Sequence, residues 1–278
     1  MTSLMRTKPF QSLATMRLLS GLLLIATAAV PAGAQQRLSG DNFSWSGTIP
    51  AGRWIHVQNL NGSITVGAAT GDKVEVTATK HWRRGDPADV HFITEKGGPG
   101  DQDVTICAVW GDRDSCNDRR RHGDDRGTRN NDVSVEFRVL VPKAVKVGVA
   151  SVNGGVNVDG ASAEVQAATV NGEVEVATSG GPVNATTVNG NVRARMGRVD
   201  SDADMDFTTV NGSVIVEFTG DFGGDVELST VNGSLNTNFE MTVSGRLDPK
   251  HLRAHIGKPG GPRIRLSTVN GSVELRKR

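Results

Sequence analysis

Thr169-Val170-Asn171-Gly172-Glu173-Val174 is followed eighteen residues later by Thr187-Val188-Asn189-Gly190-Asn191-Val192, and this echo decides the fold. The same phrase stands before them as Ser151-Val152-Asn153-Gly154-Gly155-Val156. It stands after them at Thr209-Val210-Asn211-Gly212-Ser213-Val214, Thr230-Val231-Asn232-Gly233-Ser234-Leu235 and Thr268-Val269-Asn270-Gly271-Ser272-Val273. The six asparagines are spaced by 18, 18, 22, 21 and 38 residues, the last step being two units long. A diverged seventh copy lies far upstream, Asn59-Leu60-Asn61-Gly62-Ser63-Ile64. A fixed period near ~20 residues is the signature of a repeat architecture.

Each unit reads as two short strands. After Gly172, Val174 and Val176 alternate with Glu173 and Glu175; a turn at Ser179-Gly180-Gly181-Pro182 follows, then Val183, Ala185 and Thr187 alternate with Asn184 and Thr186. This alternation describes half-buried strands with small β-branched side chains inside. Asn-Gly adopts positive φ at little cost, which makes it the corner between strands. Two all-β arrangements fit: an antiparallel meander of Asn-Gly hairpins, or a single-domain β-solenoid, β-helix-like, in which each unit is one coil. A hairpin loop has no need of Thr-Val before it in copy after copy. Stacked coils put equivalent residues in contact and favour ladders of like side chains, so the sameness of the units predicts the solenoid. The repeat corners are then Asn61 and Gly62, Asn153 and Gly154, Asn171 and Gly172, Asn189 and Gly190, Asn211 and Gly212, Asn232 and Gly233, and Asn270 and Gly271. Asp248-Pro249 followed by Lys250 to Ile256 and Gly257 carries an N-cap, a first-turn proline and a terminal glycine, which predicts one short helix over 248–257. All four tryptophans, Trp45, Trp54, Trp82 and Trp110, lie upstream, where they are expected to cover the N-terminal end of the stack.

The 278 residues hold 31 Lys and Arg against 30 Asp and Glu, eight Phe, four Trp and no Tyr. Balanced charge gives no field to draw in nucleic acid, and the absence of Tyr excludes any phenol-based mechanism. Residues 1–34 have the parts of a secretory signal: basic Arg6, Lys8 and Arg17, an apolar run from Leu18 to Val30, and Pro31-Ala32-Gly33-Ala34, with cleavage expected after Ala34. That run is too short to span a bilayer, so the mature chain, 35–278, is expected to be exported, soluble and without a membrane segment. In an oxidising compartment Cys107 and Cys116 are expected to form a local disulfide, a metal-binding or free pair being the alternative.

At this point the sequence resembles a bacterial exported family of β-repeat proteins that carries an adhesin label and no assigned activity. The repeated Val-Asn-Gly units carry the resemblance, with the ending Pro262-Arg263-Ile264-Arg265-Leu266-Ser267-Thr268-Val269-Asn270-Gly271-Ser272-Val273-Glu274-Leu275 and the upstream Asn61-Gly62-Ser63-Ile64-Thr65-Val66. It covers about residues 40–278 and implies attachment at the envelope or cell surface; it names no catalytic residue. A charged, Cys-containing stretch at about 80–132 departs from it.

No catalytic, cofactor or metal site is expected from the residues. Arg119-Arg120-Arg121 suggests anion binding, but Asp114, Asp118, Asp124 and Asp125 cancel it, leaving a solvated loop. Asp200, Asp202, Asp204 and Asp206 share one strand face; Met205 and Asn211 stand where a calcium loop counted from Asp200 needs Gly and Glu, so the row is the wet side of a strand opposite Met205 and Phe207. His251 and His255 are spaced to share a helix face, with Leu252 where a zinc protease places Glu. The expected function is a non-enzymatic, adhesin-like envelope protein that binds a glycan or protein. The alternatives are a polysaccharide-acting enzyme, for which Asp200 to Asp206 with Arg193 and Arg195 are the candidates, and a self-assembling envelope element.

Overall fold

The structure is a computed structural model. It describes residues 42–117, 131–197, 202–220, 222–245, 248–257 and 261–278. Residues 1–34, expected to be a secretory signal, and most of the Arg-rich stretch lie outside them.

Strands run β1 (Asn42–Gly47), β2 (Trp54–Asn61), β3 (Ile64–Ala68), β4 (Val74–His81), β5 (Val90–Gly97), β6 (Asp103–Trp110) and β7 (Ser134–Val141). The repeats supply β8 (Lys146–Asn153), β9 (Val156–Ala161), β10 (Val165–Ala168), β11 (Val174–Thr178), β12 (Val183–Thr186), β13 (Val192–Met196), β14 (Met205–Thr208) and β15 (Val214–Phe218). The rest are β16 (Gly224–Asn232), β17 (Leu235–Thr237), β18 (Thr242–Val243), β19 (His251–Ile256), β20 (Arg263–Asn270) and β21 (Val273–Lys277).

Each repeat sends one strand to each of two sheets, and its Val-Asn-Gly corner carries the chain between them. Sheet A runs β18-β19-β16-β20-β14-β12-β10-β8-β2-β6-β5, and sheet B β1-β4-β7-β3-β9-β11-β13-β15-β21-β17. Equivalent strands pair parallel and in register, Val174 on Val192 and Val165 on Val183, so the repeats form solenoid coils rather than hairpins. The inward row is valine, isoleucine, leucine and alanine almost throughout, with Phe137, Phe207, Phe218, Met196 and Met205 filling the wider gaps between the sheets.

The coils do not stack in chain order. The last coil, β20–β21, lies between β14–β15 and β16–β17: β20 pairs with both β14 and β16. At the other end β2–β3 lies between β6–β7 and β8–β9. The 38-residue step therefore covers an excursion through β17, β18 and β19 before the chain returns to fill a slot. The stretch at 80–132 is partly built into the stack, because β6 pairs parallel with β2 and β5 antiparallel with β6.

Three local expectations are corrected. Residues 248–257 form no helix; His251–Ile256 is strand β19, antiparallel to β16. Asp248 Oδ1 accepts from the Lys250 N–H at 2.8 Å, making a turn rather than a helix cap, and Ala254 and Ile256 go inward at period two. A single helical turn gains too few hydrogen bonds to compete with completing an open sheet edge. The corners do not depend on asparagine at positive φ: among the described non-glycine residues only Asp101 has positive φ. The tryptophans do not act together as a cover either, since Trp110 is buried in the core while Trp54 stands on the outer face of sheet A.

Candidate functional site

The Thr-Val-Asn-Gly phrase distributes four jobs around one corner. Thr187 is buried, and its hydroxyl donates to the Gly172 carbonyl of the neighbouring coil at 2.9 Å. Thr169, Thr209, Thr268 and Thr230 repeat the bond, and Ser151 supplies it to Gly62. The asparagines stack into a ladder in which each Nδ2 donates to the next Oδ1: Asn171 to Asn153, Asn189 to Asn171, Asn211 to Asn189, Asn270 to Asn211 and Asn232 to Asn270, all at 2.8–2.9 Å. Asn61 pairs with Asn153 in register and turns its amide to the Val133 carbonyl. The glycines let coils approach: a Cβ on Gly190 would lie 1.9 Å from the Gly172 oxygen. The valines point outward. Val170, Val188, Val210, Val269 and Val231 are 37–62% exposed and form one row beside the asparagines.

Alternation along the strands carries this outward row onto the face of sheet A, which divides into two halves. On β14, β20, β16 and β19 the register places Asp206 beside Arg265, Arg265 beside Glu227 and Glu227 beside Arg253, a ladder of alternating sign. Asp225 stands between Arg263 and His255. Glu227 takes Arg253 at 3.2 Å and His251 at 3.0 Å, while His255 contacts Asp225. Partial burial pushes the Glu227 carboxyl up, but Arg253, His251 and Arg265 together hold it below the ordinary glutamate value. A cleft of about 400 Å³ opens here between Asp225, Glu227, Ser244, Arg253, His255 and Arg263.

On β2, β8, β10 and β12 the same rows are uncharged. His56, Gln58, Gln166, Asn184 and Thr186 line a trough of about 260 Å³ whose floor is Gly148, Ala150 and Ala168. The His56 ring stacks on Trp54, 5.2 Å between centroids and 14° between planes. It leans across Gly148, where a Cβ would lie 2.2 Å from Nδ1. Burial, opposed in part by Asp103, holds the imidazole below its ordinary pKa, so it is neutral at pH 7 and carries one donor and one acceptor. Lys146 lies over Trp54 at 5.3 Å and binds Glu164 at 2.9 Å, forming one rail of the trough. The exposed valines form the other. Cys107 stands in register beside Gln58 at one end, bonded to Cys116 with 5.7 Å between Cα atoms.

The residues expected from sequence are partly brought together. Met205 and Phe207 are buried and Asp206 faces out, as the alternation predicts. Asp202 and Asp204 are exposed, Asp204 accepting from the Arg263 N–H at 3.1 Å; Asp200 lies outside the described residues. Arg193 and Arg195 are on sheet B, where they pair with Glu173, Glu175 and Glu217, so they do not converge with the aspartates. His251 and His255 share a strand face rather than a helix face. Among the described residues no group of three or more His, Cys, Asp or Glu could hold a metal ion, and no helix is long and apolar enough to cross a membrane. The trough escaped the sequence reading because Gly148, Gln166 and Asn184 are unremarkable singly; stacking the repeats in register aligns them.

The model of one protein family matches residues 48–276, nearly all of the described coils. The chain belongs to the Toastrack DUF4097 family. Toastrack DUF4097 has no assigned function, and its β-repeat character agrees with the resemblance read from the Val-Asn-Gly units. No curated protein matches this Toastrack chain. Similar solved structures include a "putative cell adhesion protein" from Clostridium sporogenes, 10% identical over 85% of this chain and 100% of that one, with a TM-score of 0.48. Another is a "putative adhesin" from Bacteroides fragilis, 9% identical over 85% of this chain and 97% of that one, with a TM-score of 0.28.

Proposed function

We propose that this Toastrack protein is an exported, non-enzymatic, adhesin-like protein that binds a component of the cell envelope through the outer surface of its solenoid. The observation that carries the reading is the valine row. Val170, Val188, Val210, Val269 and Val231 lie side by side and exposed, where each repeat had an equal opportunity to place a polar residue. A contiguous exposed apolar stripe marks a contact surface, unlike scattered single apolar residues. Its backbone is held by in-register pairing, so binding would cost little ordering of the protein.

The test is sedimentation of the purified mature protein with envelope fractions, peptidoglycan sacculi and membranes separately, together with protease treatment of intact and lysed cells. The expected result is co-sedimentation with one fraction, reduced at least fivefold in the double variant Val188→Asp, Val210→Asp at unchanged melting temperature. A wild-type protein that stays in the supernatant with every fraction overturns the reading. Digestion only after lysis assigns the contact to the periplasmic side; digestion of intact cells assigns it to the surface.

A further inference from the structure

The uncharged half of sheet A asks for a different ligand from the charged half. On β14, β20, β16 and β19 the described charges largely meet one another, Asp225 with His255 and Glu227 with His251 and Arg253. In the trough the polar groups have no such satisfaction. Both ring nitrogens of His56, the Gln58 amide and Asn184 Nδ2 have no hydrogen-bond partner among the described residues. Gln166 uses only its Nε2, toward Glu164 at 3.2 Å, and Asn184 only its Oδ1, accepting from the Asp206 N–H at 3.0 Å.

We infer that this trough is a binding site for an uncharged oligosaccharide lying across strands β2, β8, β10 and β12. Three features select that chemistry. Amides and a neutral imidazole offer donors and acceptors in alternation, which matches hydroxyl groups, each of them both donor and acceptor. One rail is the Trp54–His56 stack, with Lys146 over Trp54 and paired to Glu164, and the other is the valine row, which offers apolar surface to the C–H faces of sugar rings. Strands stand about 4.8 Å apart, so four strands span about 14 Å, room for about three rings. An extended peptide fits less well. The backbone groups of these four strands are engaged with neighbours on both sides, so a peptide could not add as a strand and would have side-chain contacts alone.

This inference rests on the envelope-binding reading and specifies where a glycan would sit. The experiment is calorimetric titration of the mature protein with cellotetraose, maltotetraose and chitotetraose, with tetragalacturonate as the acidic counterpart and a neutral extended decapeptide as the rival. At least one neutral tetrasaccharide is expected to bind, and Ala168→Glu, which raises a charged side chain from the exposed trough floor, to weaken it at least tenfold at unchanged melting temperature. Gln166→Ala gives an independent reading should Ala168→Glu melt early. Ile215→Glu, on the outer face of sheet B, should bind as wild type. The inference is overturned if no neutral tetrasaccharide binds, if the acidic sugar or the peptide binds more tightly, or if both trough variants bind unchanged. Failure here with envelope co-sedimentation intact removes the trough and leaves the broader function standing; failure of both removes both.

Discussion

Thr187 donates its hydroxyl proton to the carbonyl of Gly172 one coil away, at 2.9 Å, and is 1% exposed. The bond sits where two coils come too close for any side chain on the glycine, so hydroxyl and glycine act as one device. Thr187→Val preserves the shape and removes a part-buried hydrogen bond, a loss of about 0.5–1.5 kcal/mol. Gly190→Ala puts a methyl group 1.9 Å from the Gly172 oxygen and should cost at least about 3 kcal/mol as backbone is forced apart. Urea unfolding of both variants checks the order; Gly190→Ala as stable as wild type would refute the close-approach account.

The asparagine ladder has a direction, which makes chemically identical substitutions unequal. Asn189 both donates to Asn171 and accepts from Asn211. Asn189→Asp loses the donor and sets a carboxylate against the Asn171 oxygen, so it should destabilise more than Asn189→Ala. Asn153 accepts from Asn171, and its Nδ2 has no partner among the described residues, so Asn153→Asp should be nearly neutral. Each exposed ladder bond is expected to be worth about 0.5–1.5 kcal/mol. Equal effects at 153 and 189, measured by denaturant midpoint at pH 7, would rule out a directional ladder.

Acid should loosen the charged half of sheet A. Glu227 is held below its ordinary 4.5 by Arg253, His251 and Arg265 against the opposing push of burial. Its folded pKa thus lies below its unfolded one. The stabilisation it supplies is present above the unfolded value and is lost as pH falls through the folded value. Melting temperature should therefore drop as pH is lowered below about 4.5, and Glu227→Gln should be less stable at neutral pH with a flatter acid limb. Asp132, lowered by the N–H groups of Gly85, Arg84 and Arg83 despite an opposing desolvation effect, should behave in the same sense. A variant whose acid limb parallels wild type would dismiss the Glu227 assignment.

The Cys107–Cys116 bond pins a loop of nine residues' separation against Ile93 and Val109. Replacing both cysteines by serine should cost about 2–3 kcal/mol. The loss should be read by thermal melting; a double variant as stable as the oxidised protein would mean the loop is held by its packing alone.

The ladders were legible because a stacked coil repeats its environment, so Thr, Val, Asn and Gly recur wherever hydrogen bond, surface, rung and close approach recur. What was not legible depends on order in space rather than in sequence. Asn232 and Asn270 are chain neighbours in the repeat series and also ladder neighbours, yet Asn270 also touches Asn211, and spacing alone does not distinguish stacking order from chain order. His251–Ile256 was misread because cap, proline and glycine signals are local, while the open edge of β16 that claims it as a strand is distant. The trough was hidden for the same reason: His56, Gly148, Gln166 and Asn184 fall in one row only after the coils are superposed.

The placement of β20–β21 inside the array, between coils made earlier, also sets when the protein can be finished. Until Arg263–Lys277 arrives, β14 and β16 lack their shared partner in sheet A. A chain emerging from a ribosome can zip up its middle coils in order, but it must hold a vacancy open for a segment made after both of that segment's neighbours. Synthesis that stops early leaves a gap with exposed strand edges on both sides, a signal to proteases that a mere shortening of the stack would not send. Closure of sheet A across β14 and β16 thereby waits on a segment made after both of them.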